Sequence, residues 1–202
     1  MIIIIDYGLG NVRAFVNVYK RLNIDVRTAE TADGLVGASK LILPGVGAFD
    51  HAMQRLEQSG MREAIEMLVR ERKVPVLGVC VGMQILARSS DEGVSPGLGW
   101  IPAQVKSFRS RPDHGLPLPH MGWNDVRPTR ETHLFRELES ARFYFLHSYY
   151  FECDDSADIA AVANYGTDFT CAVASANIYG VQFHPEKSHR FGTRLLRNFA
   201  EL

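Results

Sequence analysis

Two short stretches of this chain carry side chains suited to covalent chemistry: Gly78-Val79-Cys80-Val81-Gly82 and His184-Pro185-Glu186. A cysteine thiolate attacks acyl carbons, an imidazole carries the proton to the leaving group, and a carboxylate fixes the tautomer of the imidazole. Only the thiolate is reactive, and a free thiol with a pKa of about 8.5 is mostly protonated at neutral pH. A helix N-terminus or a neighbouring imidazole shifts that balance at little structural cost. The tetrahedral intermediate then needs N–H donors for its oxyanion. The amide of Val81, directly after the nucleophile, is the first candidate, and the loop Pro44-Gly45-Val46-Gly47 is the candidate for the second. Cys80 with His184 and Glu186 therefore reads as a triad for acyl transfer.

Each piece has a plainer reading alone. A single cysteine is usually a small core residue, and a lone His-Pro-Glu is usually a surface turn. The glycines around Cys80 change the balance, because an apolar run, Val74-Pro75-Val76-Leu77, precedes them and helix formers, Met83-Gln84-Ile85-Leu86-Ala87-Arg88, follow. Strand, tight turn, helix is the setting of a nucleophile elbow. The Pro-Gly-Val-Gly loop lacks the Lys-Ser or Lys-Thr ending of a phosphate loop, and Gly8-Leu9-Gly10 lacks the third glycine of a dinucleotide fold.

The elements that must position these residues follow from periodicity. Ile2–Ile5 is wholly apolar, as in a strand covered on both faces. Asn11 precedes a helical pattern carrying Val12, Phe15, Val16, Tyr19 and Leu22. Asp25-Val26-Arg27-Thr28 fits a short strand, and Leu41-Ile42-Leu43 a buried one stopped by Pro44. Helical stretches are predicted around 52–56 and over 61–72. This rhythm predicts an α/β fold with an open, mixed but mostly parallel sheet and helices on both faces. From residue 93 to 119, Gly and Pro recur and favour loops and short antiparallel pieces. Strands are predicted at 142–146, 159–165, 171–175 and 178–183, the last two joined by an Ala176-Asn177 hairpin, and a final helix over 190–200.

The 202 residues make one domain, 1–202, large enough to bury its core unaided, and a formal net charge of −1 gives no pull toward nucleic acid or an anionic membrane. The local cluster Lys106, Arg109 and Arg111 reads as a solvated edge. No apolar run approaches the ~20 residues of a membrane helix. Three scattered cysteines suggest neither a disulfide framework nor a metal site; Cys153 and Cys171 read as structural thiols in a reducing cytoplasm.

Taken together, the Gly-x-Cys-x-Gly elbow with the glutamine that follows it, Gln84, and the late His-Pro-Glu resemble the triad-type, class I glutamine amidotransferase family. Four further stretches bring the chain closer to members that work with a separate barrel subunit: Asp6-Tyr7-Gly8-Leu9-Gly10-Asn11, Leu43-Pro44-Gly45-Val46-Gly47-Ala48-Phe49, Pro119-His120-Met121-Gly122-Trp123-Asn124 and His147-Ser148-Tyr149. The resemblance spans essentially the whole length. It implies that Cys80 attacks the side-chain amide of glutamine to release ammonia without a cofactor, with His184 and Glu186 completing the triad. It places Gly47 and Val81 as oxyanion donors, and Gln84, Glu92, Ser148 and Tyr149 around the glutamine. It implies a (β/α)8-barrel cyclase partner in a heterodimer, with Asn11, Trp123 and Lys187 toward it. There ammonia would enter an imidazole ring in histidine biosynthesis; the alternative is a paralogous barrel making sugar amidines for surface polysaccharide. A partner-independent γ-glutamyl hydrolase is the rival of another class, disfavoured by Gln84 and the partner-facing motifs.

Overall fold

The computed structural model describes residues 1–111 and 115–202; residues 112–114, within the stretch expected to form loops, lie outside the described residues. The chain runs β1 (Ile2–Ile5), α1 (Val12–Arg21), β2 (Val26–Ala29), β3 (Lys40–Gly45), α2 (Phe49–Gln58), α3 (Arg62–Glu66) and β4 (Val76–Cys80). It continues with α4 (Val81–Gln84), β5 (Ser89–Ser90), β6 (Ala103–Ser107), β7 (His120–Asp125), β8 (Arg127–Pro128), β9 (Arg142–His147) and β10 (Tyr149–Cys153). Then come β11 (Ile159–Tyr165), β12 (Thr167–Ser175), β13 (Ile178–Val181) and α5 (His189–Ala200).

The sheet has the order β2-β1-β3-β4-β13-β12-β10-β6-β5, with β11 and β8 branching from β12. From β2 to β13 all neighbours are parallel; β13–β12, β12–β10 and β10–β6 are antiparallel. The step from β1 to β2 runs one way along the sheet and that from β3 to β4 the other. Right-handed crossovers therefore put α1 and the α2–α3 pair on opposite faces. α5 joins α1, tied by the Tyr19 hydroxyl donating to the Leu196 carbonyl at 3.2 Å. The β1 and β4 strands are buried throughout, which is why they read as unbroken apolar runs. A small second sheet pairs β7 with β9.

Three local expectations are revised. β3 runs on through Pro44 and Gly45, because β1 stops pairing at Ile42 and β4 alone pairs with Pro44, through Val79, while the Tyr7 hydroxyl takes the Pro44 carbonyl at 2.7 Å. The helix after Cys80 lasts one turn: the carbonyls of Ile85, Leu86, Ala87 and Arg88 accept from Leu98, Ile101, Gly99 and Gly97, so a loop replaces the next helical turn. The helix over 61–72 is α3 followed by a π-helical stretch, Met67–Glu71. The two-residue Ala176-Asn177 hairpin is present, with Ser175 opposite Ile178.

Candidate active site

The carboxyl ends of β3, β4 and β13 meet where an open parallel sheet leaves its crevice. Cys80 closes β4 with φ +56° and ψ −115°, a conformation costing a non-glycine residue about 1–3 kcal/mol. Its neighbours leave no other route. A Cβ on Gly82 would lie 1.9 Å from the Leu43 carbonyl oxygen, and one on Gly78 would lie 2.5 Å from the Gly82 oxygen. The elbow is thus pressed between backbone segments, which holds the sulfur at the strand end. Val81 opens α4, so its amide precedes the helix's own hydrogen bonds and is available as a donor.

His184 follows the end of β13, and its amide donates to the Tyr144 carbonyl at 2.8 Å. Pro185 starts a single 3-10 turn, Pro185–Lys187, that folds Glu186 back onto the imidazole. Nδ1 of His184 then lies 2.9 Å from Oε1 of Glu186, with the two side chains 4% and 2% exposed. Burial works against the imidazolium, but hydrogen bonds to Cys80 and Glu186 and the charges of both outweigh it and push His184 up to about 10. Both the sulfur and the carboxylate thus favour the protonated imidazole.

These groups open on a cavity of about 250 Å³ lined by Gly47, Cys80, Val81, Gln84, Glu92, Ser148, Tyr149, His184 and Lys187, along with Val46, Pro119, Leu146 and His147. Cys80 and His184, both oxyanion candidates and all four expected glutamine contacts thus face one space, with Glu186 behind His184. Gly47 has φ +89°, a left-handed backbone that glycine adopts at no steric cost, and no atom within 4 Å of where a Cβ would stand. The loop is pinned on either side of it. Tyr7 holds Pro44, and Glu92 Oε2 accepts from the Phe49 amide at 2.9 Å. Burial lifts the Glu92 carboxyl above its usual range, against the Phe49 bond and with help from the charge of Asp50. A larger open depression of about 1140 Å³, between Asp125 and Ser140, lies apart from this machinery.

Over residues 3–202 the chain matches the family described as Glutamine amidotransferase class-I. It is a class I glutamine amidotransferase. Among relatives of this amidotransferase, an "Imidazole glycerol phosphate synthase subunit HisH" of Bdellovibrio bacteriovorus is 64% identical, with both chains covered in full. Proteins of the same name from Leptospira borgpetersenii and, as "HisH 2", from Pseudomonas aeruginosa are 55% and 47% identical over the whole of both chains. A solved structure titled as a glutamine amidotransferase superimposes with a TM-score of 0.77 at 21% identity, covering 98% of this chain and 97% of its own. PurLQS from Thermotoga maritima gives 0.75 at 15% identity, with 99% and 97% covered, which speaks for the fold alone.

The amidotransferase site also involves residues to which the sequence assigned no role. Gln182, fully buried, reaches toward the nucleophile with its Nε2 3.8 Å from Cys80 Sγ. His120 and His147, 27 residues apart, meet across the β7–β9 ladder with Nδ1 and Nε2 2.9 Å apart. Nδ1 of His147 also lies 2.7 Å from the Tyr149 carbonyl, which only an N–H can satisfy; Nε2 therefore accepts from His120. The pair holds the backbone at Tyr149, on the rim of the cavity that Cys80 lines. Of the residues expected toward a partner, Lys187 lines the cavity mouth and lies over the Tyr144 ring, 5.8 Å away. Trp123 is 40% exposed and stacks on His189 at 5.3 Å, outside the cavity. Asn11 is exposed, and its Oδ1 caps α1 by accepting from the Ala14 amide.

Proposed function

We propose that this amidotransferase is the glutaminase subunit of an imidazole glycerol phosphate synthase, supplying ammonia for histidine biosynthesis. The observation that carries the chemistry is the alignment of Cys80, His184 and Glu186 on one cavity with Val81 and Gly47 beside it. The names of its whole-length relatives carry the choice of pathway over sugar amidine formation.

The sulfur adds to the side-chain amide carbon of glutamine, and the oxyanion points toward the Val81 amide. His184, already protonated, gives its proton to the departing nitrogen, the C–N bond breaks, and ammonia leaves. The now neutral imidazole takes a proton from water, the hydroxide adds to the thioester, and the C–S bond breaks to release glutamate. Glu186 orients the imidazole and stabilises its charge each time His184 is protonated. Gln84, Glu92, Ser148 and Tyr149 hold the substrate, Glu92 as the charge opposite its ammonium group.

The partner is a (β/α)8-barrel cyclase docked at the cavity mouth, with Asn11, Trp123 and Lys187 toward it. The rim supports this: Met121 and Trp123 are exposed on β7, opposite Leu146 and Tyr144 of β9, and Val46 of the oxyanion loop is exposed beside them. The chain works in the cytoplasm, where its three free cysteines stay reduced; among the described residues, no helix is long and apolar enough to cross a membrane.

Mixing the chain with its barrel subunit and the ribonucleotide substrate of that pathway should give glutamine-dependent imidazole glycerol phosphate. Ammonia accumulating without that product would return the assignment to the sugar-amidine reading. Hydrolysis of glutamine by the chain alone at the rate of the complex would make it a simple hydrolase.

A further inference from the structure

Two glutamines are buried in series behind the nucleophile, Gln84 at 3% and Gln182 at 0% exposure. Gln84 Nε2 donates to Gln182 Oε1 at 3.0 Å, and Gln182 Nε2 lies 3.8 Å from Cys80 Sγ. We propose that Gln182 is a further catalytic residue of the glutaminase reaction, a fixed amide donor to the reacting sulfur, and that Gln84 is the positioning residue that sets which way this amide faces. The inference rests on the glutaminase reading above.

The direction of the chain follows from its ends. With Gln182 Oε1 occupied by an N–H of Gln84, the NH₂ group must face the sulfur. The reverse orientation would set a carbonyl oxygen against an electron-rich thiolate and leave a buried N–H without an acceptor. Both side chains stand on the segments that carry the triad. Gln84 lies in α4, directly after Cys80, and Gln182 is two residues before His184, its amide donating to the Cys171 carbonyl at 2.8 Å. A buried position at a strand end is filled most cheaply by an apolar side chain. A polar pair kept there, one member also facing the substrate cavity, points to a need for the donor.

That need arises whenever charge returns to sulfur. In the second half-reaction hydroxide adds to the thioester carbon, the C–S bond breaks, and its electron pair goes to Sγ. His184 has become imidazolium by taking the proton from water, and the Gln182 N–H is the second group able to stabilise the leaving thiolate. Hydrogen bonds to charged groups are the strong ones, so losing this donor should slow thioester breakdown about tenfold.

The test uses the complex with its barrel subunit and compares wild type with Gln182→Met, which keeps the volume and removes the donor, and with Gln84→Met, which frees the donor to rotate. Q182M should lower kcat about tenfold, more than it lowers kcat/KM, and the glutamyl thioester should accumulate in the steady state as seen by intact-protein mass. Q84M, which also takes away a substrate contact, should at saturating glutamine lower kcat about threefold with the same thioester build-up, its KM rising independently. A role in folding alone would lower both kinetic constants together without thioester build-up. Unchanged kcat in Q182M, or equal losses with no thioester, overturns the proposal. If Q182M fails to fold, Q84M decides by the same two readouts. A wild-type complex that does not hydrolyse glutamine would instead sink the underlying reading.

Discussion

Glu186 meets the reaction only through His184, yet together with Cys80 it favours the protonated imidazole. Burial favours a neutral imidazole; the hydrogen bonds and charges of Cys80 and Glu186 reverse that and hold His184 up to about 10. Glu186→Gln keeps the shape and removes the charge, so the imidazolium loses one of its two supports. Turnover of glutamine by the complex should fall at least about 10²-fold, and the melting temperature of the chain should fall as well, because a buried imidazolium loses a charged partner. That Cys80, His184 and Glu186 come together could be read in the sequence because each stands beside a rare signal: glycines around Cys80, and Pro185 holding His184 and Glu186 in one turn. Gln182 could not, since a single glutamine in the apolar run 178–183 resembles any strand's polar outlier. His120 and His147 stood in motifs that matched, but their pairing stayed hidden, because only the β7–β9 register makes neighbours of residues 27 apart.

Among the elements, the elbow is the least tolerant and the β7–β9 ribbon the most outward-looking. A methyl group on Gly82 would stand 1.9 Å from the Leu43 oxygen and 3.1 Å from the Pro44 carbonyl carbon, both backbone atoms of β3 with no flexible end to yield. Gly82→Ala should therefore destabilise the chain by more than about 3 kcal/mol, measured by urea unfolding. The ribbon behaves oppositely. Alternation along β7 turns His120 inward and Met121 and Trp123 outward, so Trp123 rests on His189 with one side free. Trp123→Ala should leave the melting temperature of the chain nearly unchanged and weaken barrel binding by about 30-fold, read by calorimetry, as for a buried aromatic anchor. The elements legible in advance were those fixed by local pattern, such as α1 with its Asn11 cap and the fully apolar β1. α4 was misjudged because Met83 to Arg88 are good helix formers locally, whereas the loop at 97–101 claims their carbonyls.

For the molecule as a whole, the alternation of strands and helices was enough to foresee the parallel half of the sheet. Of the antiparallel arm, the strand at 171–175 and short antiparallel pieces between 93 and 119 were expected, but nothing local announced that β10 pairs with β6. That arm and the small sheet bury the His120–His147 pair, and the burial sets how stability follows pH. Burial lowers His147 to about 3, the His120 and His184 charges adding to it and the bond to Tyr149 opposing; burial lowers His120 to about 4. An unfolded histidine takes up a proton near about 6.5, so below that value unfolding absorbs protons the native state refuses, and stability falls with acid. His184 acts in the other direction. The native state keeps its proton up to about 10, so this contribution is complete below about 6.5 and drains away as the pH rises toward 10. Carboxylates titrate near about 4 and leave the interval from 5 to about 8 to the histidines; above it the Cys153 and Cys171 thiols, raised by burial while an unfolded cysteine ionises near about 8.5, add to the decline. Urea midpoints measured from pH 5 to 10 should therefore peak between about 6 and 7 and decline on both sides. A midpoint that climbs steadily from pH 7 down to 5 would mean that the two inward histidines accept protons in the native state, and that the hydrogen-bond chain from His120 to the Tyr149 carbonyl is not what holds the rim of the cavity.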